Sequence, residues 1–384
     1  MLGCGCVSRW GGVDAAWGAA LGLGLLVSGC AGARPAAAPS EVAQRVEPPP
    51  PAPLRPLTED EARLRAELEK DCAALVALGP RSLVHSWNLH SATDHLAITL
   101  ERLGYQVVRA GFPAGDEVLQ NLEVVLPGTK TGEALVIAAH YDTAAESPGA
   151  NASASGAVAL LALARQLQGK RFARGVRLVW LSNESGGEGP PGSVAFVARA
   201  RREQLPVVAT LTLGSLGNYS VERGSQRYPA ELLFGAEWRS PFGDFVAVLS
   251  NAGSHRLLER VRPTLSTASL PVEELVLPDE APLAADGPQA RFWSAGLAGL
   301  VLTDTAQFRS PHPEGVDDTP DKVDFDRLAR VTRLLGELVV ALANAPAEQQ
   351  GPPDDAPPAA AAPGELMPAL PPLEVPAARP KNPG

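Results

Sequence analysis

No long basic run occurs anywhere in this sequence, and its 33 Lys and Arg residues are outnumbered by 43 Asp and Glu, for a formal charge of -10 and an isoelectric point near 5.2. A chain without a cationic stripe offers little to a phosphate backbone or an anionic membrane surface, so nucleic acid is excluded as a partner. Cysteine is scarce too. Only Cys4, Cys6, Cys30 and Cys72 are present, and of these only Cys72 lies beyond the first thirty residues, so the rest of the chain has no disulfide within it. Two familiar catalytic patterns are missing as well. Ser153, Ser155 and Ser185 do not sit in a G-x-S-x-G elbow, and the stretch Gly149 to Gly156 has neither a phosphate-loop Lys nor the G-x-G-x-x-G spacing.

What is present begins with an export signal. Arg9 precedes an apolar stretch from Ala15 to Val27 that is too short to span a bilayer, which marks residues 1–29 as a signal peptide. The stretch ends in Val27-Ser28-Gly29-Cys30, which resembles the bacterial lipobox. That resemblance implies cleavage before Cys30, lipid on its thiol and its new amino group, and anchoring by several acyl chains. Ala31 after the Cys points by the enterobacterial sorting rule to the outer membrane, so the expected location is the cell envelope, on the outer membrane or the periplasmic face. Residues 30–56 and 346–384 are dominated by Pro and Ala. Such segments bury too little apolar surface to offset ordering entropy, so they are expected to act as tether and tail. Residues 57–345 remain, enough for one large domain.

Within that domain Thr58-Glu59-Asp60-Glu61 is a capping box, and it predicts a helix to about Leu78, where Gly79-Pro80 stops it. A second helix is expected from Ser86 to Leu103. Strands are expected over Tyr105–Arg109, Leu119–Leu126, Ala134–Ala139, Val176–Leu181, Val207–Leu213 and Leu297–Leu302, with helices over Ser155–Leu167 and Phe325–Ala343. The continuous apolar run at 134–139 reads as a strand buried on both faces. Buried strands alternating with amphipathic helices predict an α/β three-layer sandwich around a mostly parallel sheet, with chemistry at the carboxyl ends of the strands.

Those ends carry His140-Tyr141-Asp142-Thr143, Ser182-Asn183-Glu184 and Thr303-Asp304-Thr305, the last leading to Asp317-Asp318-Thr319-Pro320. With "LGPR" at 78–81, Asn121, "PGANASASG" at 148–156, "PGS" at 191–193 and "FWSAG" at 292–296, the ordered set resembles the zinc aminopeptidases of metallopeptidase family 28. The resemblance implies their fold. It also implies a site in which two zinc ions share a bridging carboxylate and a water, with a Glu as general base.

Residue by residue, the resemblance places His140 at the first zinc ligand, Asp142 behind it as the group that steadies its ring, and Glu184 at the general base. The bridging Asp falls on Ala152, the next zinc-ligating Glu on Ser185, the acidic ligand of the following strand on Gly214, and the final His on Glu314. An upstream "SDH"-like element is replaced by Gly287-Pro288-Gln289. A catalytic zinc needs about three protein ligands, so no cofactor is expected on this reading. Substitute ligands for a single metal would have to come from His312, Glu188 or Glu146, with Glu203 in reach only if the register near Gly214 shifts.

The expectation is therefore a lipid-anchored pseudopeptidase whose cleft serves as a binding or scaffold module, its partners being the membrane through Cys30 and an envelope protein or peptide. The competing expectation is an enzyme that does hold zinc, either a divergent aminopeptidase or a single-zinc relative of the glutaminyl cyclases.

Overall fold

In the computed structural model the described residues are 49–130, 132–228, 239–278 and 287–345. The signal peptide, Cys30, the tether up to residue 48 and the tail from 346 lie outside them. No helix among the described residues is long and apolar enough to cross a membrane.

The capping box forms as its sequence requires. Thr58 Oγ1 accepts from the Glu61 amide at 3.2 Å and Glu61 Oε2 accepts from the Thr58 amide at 2.9 Å, which starts α1, Glu59–Val76. Gly79, at φ +83° in the left-handed region, turns the chain out of this helix. After α2, Ser86–Arg102, a hairpin of β1, Val108–Ala114, and β2, Glu117–Leu126, turns at Gly115. The first strand thus starts and ends later than the expected Tyr105–Arg109, because residues 103–107 are spent leaving α2.

Next come β3, Ala134–His140, α3, Ser155–Leu167, β4, Gly175–Leu181, α4, Gly192–Arg202, and β5, Val207–Leu213. The remaining elements are β6, Val246–Asn251, α5, His255–Leu265, β7, Val272–Leu277, α6, Gly287–Ser294, β8, Gly299–Thr303, and α7, Phe325–Asn344. The eight strands form one sheet in the order β1-β2-β4-β3-β5-β8-β6-β7. Its centre, β4-β3-β5-β8, is parallel, whereas β1, β2 and the β8-β6 junction run antiparallel.

Strand β3 shows why the centre reads as one apolar run. Leu135, Ile137 and Ala139 join the core beneath α1, α2, α3, α5 and α7, while Val136 and Ala138 join a second core beneath α4 and α6 with Phe196 and Phe292. Both faces are covered, so alternation would have left polar groups buried. Helix α1 buries Leu68, Leu75 and the free Cys72, whose Sγ lies 3.7 Å from the Ala150 carbonyl; burial pushes the thiol up to about 12.

The folded contacts begin inside the expected tether. Leu54 packs against the core, and the Arg55 guanidinium donates to both oxygens of Glu61, each at 2.7 Å. Glu61, fully buried, also lies 3.3 Å from Ser269 Oγ, 3.9 Å from Arg330 Nη1 and 3.5 Å from Arg333 Nε. One carboxylate therefore ties the entering chain to the start of α1, the loop before β7 and the closing helix α7.

Candidate functional site

The carboxyl ends of β3, β4, β5 and β8 surround a cavity of about 670 Å³, and His140, Ala152, Glu184, Ser185, Gly214 and Glu314 all line it. Positions scattered over nearly the whole domain thus converge on one cavity. The substitute ligands do not join them. Glu146, Glu188 and His312 are exposed and outside the cavity wall, and Glu203 caps the end of α4 in a pair with Arg199.

The loop carrying Ala152 is fixed from several sides. Gly149, at φ +64°, opens a tight turn over Ala150–Ala154, and a Cβ there would come within 2.3 Å of Thr143. Asp318 accepts from the amides of Asn151 at 2.7 Å and Ala152 at 2.9 Å. Asn151 in turn donates to Asp304 at 2.9 Å and accepts from the Gly217 amide at 2.6 Å. Beneath the turn the wholly buried Arg81 of the "LGPR" stretch donates to the carbonyls of Tyr141 at 2.8 Å and Pro148 at 2.9 Å and to Ser153 Oγ at 2.9 Å. A buried charge survives there because its donors are satisfied.

His140 stands at the end of β3 with its side chain 14 % exposed. Its Nε2 donates to the Ala152 carbonyl at 3.1 Å, and its Nδ1 faces Asp142 Oδ1 at 3.4 Å. With one ring nitrogen on a carbonyl and the other toward a carboxylate, the doubly protonated ring suits both neighbours. Burial works against that charge, but Asp142, with Glu184 and Glu314 farther off, outweighs it and raises the His140 pKa. The other oxygen of Asp142 accepts from the Ser185 amide at 2.8 Å, so this carboxylate orients the ring and the start of the next loop together.

Glu184 is placed as strictly. Its backbone follows Asn183, which takes φ +61° at the end of β4 and donates to the carbonyls of Glu188 and Pro190, each at 3.2 Å. The Glu184 side chain, 2 % exposed, meets the first turn of α4: Oε1 accepts from the Ser193 amide at 2.6 Å and Oε2 from Ser193 Oγ at 3.1 Å. A helix start favours such an anion. Arg291 of α6 then donates to Oε2 at 3.1 Å. Burial, reinforced by Asp142, raises the Glu184 pKa against these donors. Sequence reasoning identified Glu184 but not Arg291, whose partner is 107 positions away and leaves no pattern in the chain.

Replacing Arg291 with Met strands a buried carboxylate. The expected loss of stability is about 2 kcal/mol, below the full cost of breaking a buried pair because the guanidinium is partly exposed. Thermal unfolding of the single variant and of Arg291→Met with Glu184→Gln checks it: the double variant should recover most of the loss, and an equally unstable double variant would refute the pairing.

This donor set does not fit a pair of zinc ions. Ala152, Ser185 and Gly214 present a methyl, a hydroxyl and no side chain to the cavity. Among the described residues no three His, Cys, Asp or Glu side chains form a group able to hold a metal. His140 directs Nε2 to a carbonyl and faces Asp142 with Nδ1, and Glu184 is committed to Ser193 and Arg291.

Comparison with known proteins agrees on the framework. The sequence model for "Peptidase family M28" matches residues 121–249. An Escherichia coli K12 protein described as uncharacterized, YfbL, is 28 % identical over 283 residues, covering 69 % of this chain and 84 % of its own. Among solved structures, the Legionella pneumophila LapA aminopeptidase superposes with a TM-score of 0.60 at 16 % identity, covering 78 % of each chain. A Bacteroides thetaiotaomicron glutaminyl cyclase bound to N-acetylhistamine superposes with a TM-score of 0.53 at 18 % identity, covering 72 % of this chain and 97 % of that one. The sequence pattern of peptidase family M28 thus runs from β2 to β6 of this chain, and the fold is the one these enzymes share.

Proposed function

We propose that this chain is a lipid-anchored protein of the bacterial cell envelope whose M28 domain has given up peptide hydrolysis and keeps its cleft as a binding or scaffold surface. The observation that carries the proposal is the cavity wall itself. Three of the positions that the family pattern gives to carboxylates are Ala152, Ser185 and Gly214, and the remaining carboxylate at the general-base position is neutralised by Arg291. A carboxylate that already accepts twice from Ser193 and once from Arg291 keeps little free capacity to take a proton from water. The anchor rests on the lipobox-like Val27-Ser28-Gly29-Cys30, with residues after Cys30 acting as the tether that carries the domain away from the membrane.

Elemental analysis of protein purified without chelator and dialysed against micromolar zinc is expected to give far less than one zinc per chain, with no turnover of leucine p-nitroanilide. Stoichiometric zinc together with chelator-sensitive turnover would sink the non-catalytic reading and favour the aminopeptidase or single-zinc cyclase alternative. In cells, Cys30→Ser is expected to move the protein from the membrane fraction to the soluble one; retention at the membrane would refute the lipid anchor.

A further inference from the structure

The cleft of about 670 Å³ divides into unlike parts. Its β8-β6 wall is apolar at Leu249 and Val301, which share one face of the sheet, with Phe308 beyond them. The polar groups beside that wall are neutral. Thr212 donates to Gln289 Oε1 at 3.2 Å, and Thr303 Oγ1 accepts from the Thr305 amide at 2.9 Å. Gln289 is itself 3 % exposed, and its Nε2 has no hydrogen-bond partner. Carboxylates reach this space in only two places among the described lining residues. Glu184 already binds the Ser193 amide, the Ser193 hydroxyl and Arg291, while Glu314 is exposed at the mouth.

Among the described residues, an ammonium group pushed against this wall would leave water and meet only Glu184, which already holds three donors, with Glu314 out at the mouth, and burying an unpaired charge is among the most costly steps in recognition. An amide carrying an aliphatic side chain suffers no such loss. Its side chain covers the apolar wall, and its uncharged N–H and C=O cost far less to desolvate than an ammonium group.

We propose that the cleft binds an uncharged peptide segment, through an apolar side chain seated against Leu249, Val301 and Phe308, and discriminates against a free amino terminus. This rests on the non-catalytic reading above and narrows it to a ligand class. The uncharged segment has two sources, an N-acylated chain end or the interior of a longer chain.

Titration of the full-length protein, monitored by NMR, separates these with three probes: N-acetyl-Leu-Ala-Ala-amide, Leu-Ala-Ala-amide with its free amine, and N-acetyl-Ala-Ala-Leu-Ala-Ala-amide. The free amine is expected to bind at least about tenfold more weakly than the acetylated tripeptide. The third probe binds as well as the first if interior segments are accepted and more weakly if only blocked ends are, and either result supports the ligand class. Ala152→Asp, which places a carboxylate in the cavity wall, is expected to narrow or reverse the preference. Equal or tighter binding of the free amine to the unaltered protein overturns the proposal, and so does failure of all three probes to bind. Hydrolysis of the free-amine probe, read by mass in the same samples, overturns the non-catalytic reading instead, so the two failures are distinguishable.

Discussion

Glu61→Ala is expected to destabilise the domain by about 4 kcal/mol, the size of effect seen when one member of a buried ion pair is removed. Arg55, Arg330 and Arg333 all converge on this carboxylate, and the substitution leaves their charges facing one another across the space it vacates. It also removes half of the capping box. The Arg55 hydrogen bonds, working against burial and helped by the Thr58 amide, hold the Glu61 pKa at about 2. A carboxylate depressed in the folded state stabilises above its unfolded value and loses that contribution as pH falls toward the folded one. The stability gap between the unaltered protein and Glu61→Gln should therefore be widest above about pH 5 and close progressively toward pH 2. Urea unfolding of both proteins across that range tests the claim, and a gap independent of pH would refute it.

Gly192→Ala is expected to cost about 3 kcal/mol, the upper range for overpacking a tight interior. A Cβ at this position would come 2.2 Å from Asn121 Oδ1 and 2.6 Å from the Ser182 carbonyl, and the latter belongs to backbone that cannot rotate away. Asn121 bridges the same junction, accepting from the Ser182 amide at 3.1 Å and donating to the Gly192 carbonyl at 2.7 Å. Relief of the overlap has to move the first turn of α4, and Ser193 with it. Stability is therefore expected to fall together with the chemical-shift signature of Glu184, read by carbon-detected NMR of the carboxyl groups. A variant that loses stability while the Glu184 carboxyl signal stays in place would show that the clash is absorbed elsewhere.

Much of this architecture was legible in the residues. The run at 134–139 announced a central strand because both of its faces meet helices, and Thr58 with Glu61 announced α1 because a capping box is a local event. His140, Ala152, Glu184, Ser185, Gly214 and Glu314 were singled out by a resemblance of ordered motifs, and the fold brings all six to one cavity. The failures have a common cause. Strand β6, helix α5 and strand β7 occupy a stretch where the family likeness carries no fixed motif, and β7 at the sheet edge has the mixed burial that blurs alternation. Arg291 and Asp318 were invisible as site residues because their contacts, to Glu184 and to the amides of Asn151 and Ala152, join segments more than a hundred positions apart. Periodicity reports which face a residue occupies. It says nothing about which distant charge waits there.

Cys72 gives the fold a built-in clock. It is the one free thiol among the described residues, wholly buried in α1 against the Ala150 turn, and too weakly acidic there to react as a thiolate. A thiol reagent can reach it only when α1 lifts from the turn beneath it. The labelling rate of the native protein therefore reads out how often the helix that carries the Glu61 tie parts from the loop that carries Ala152.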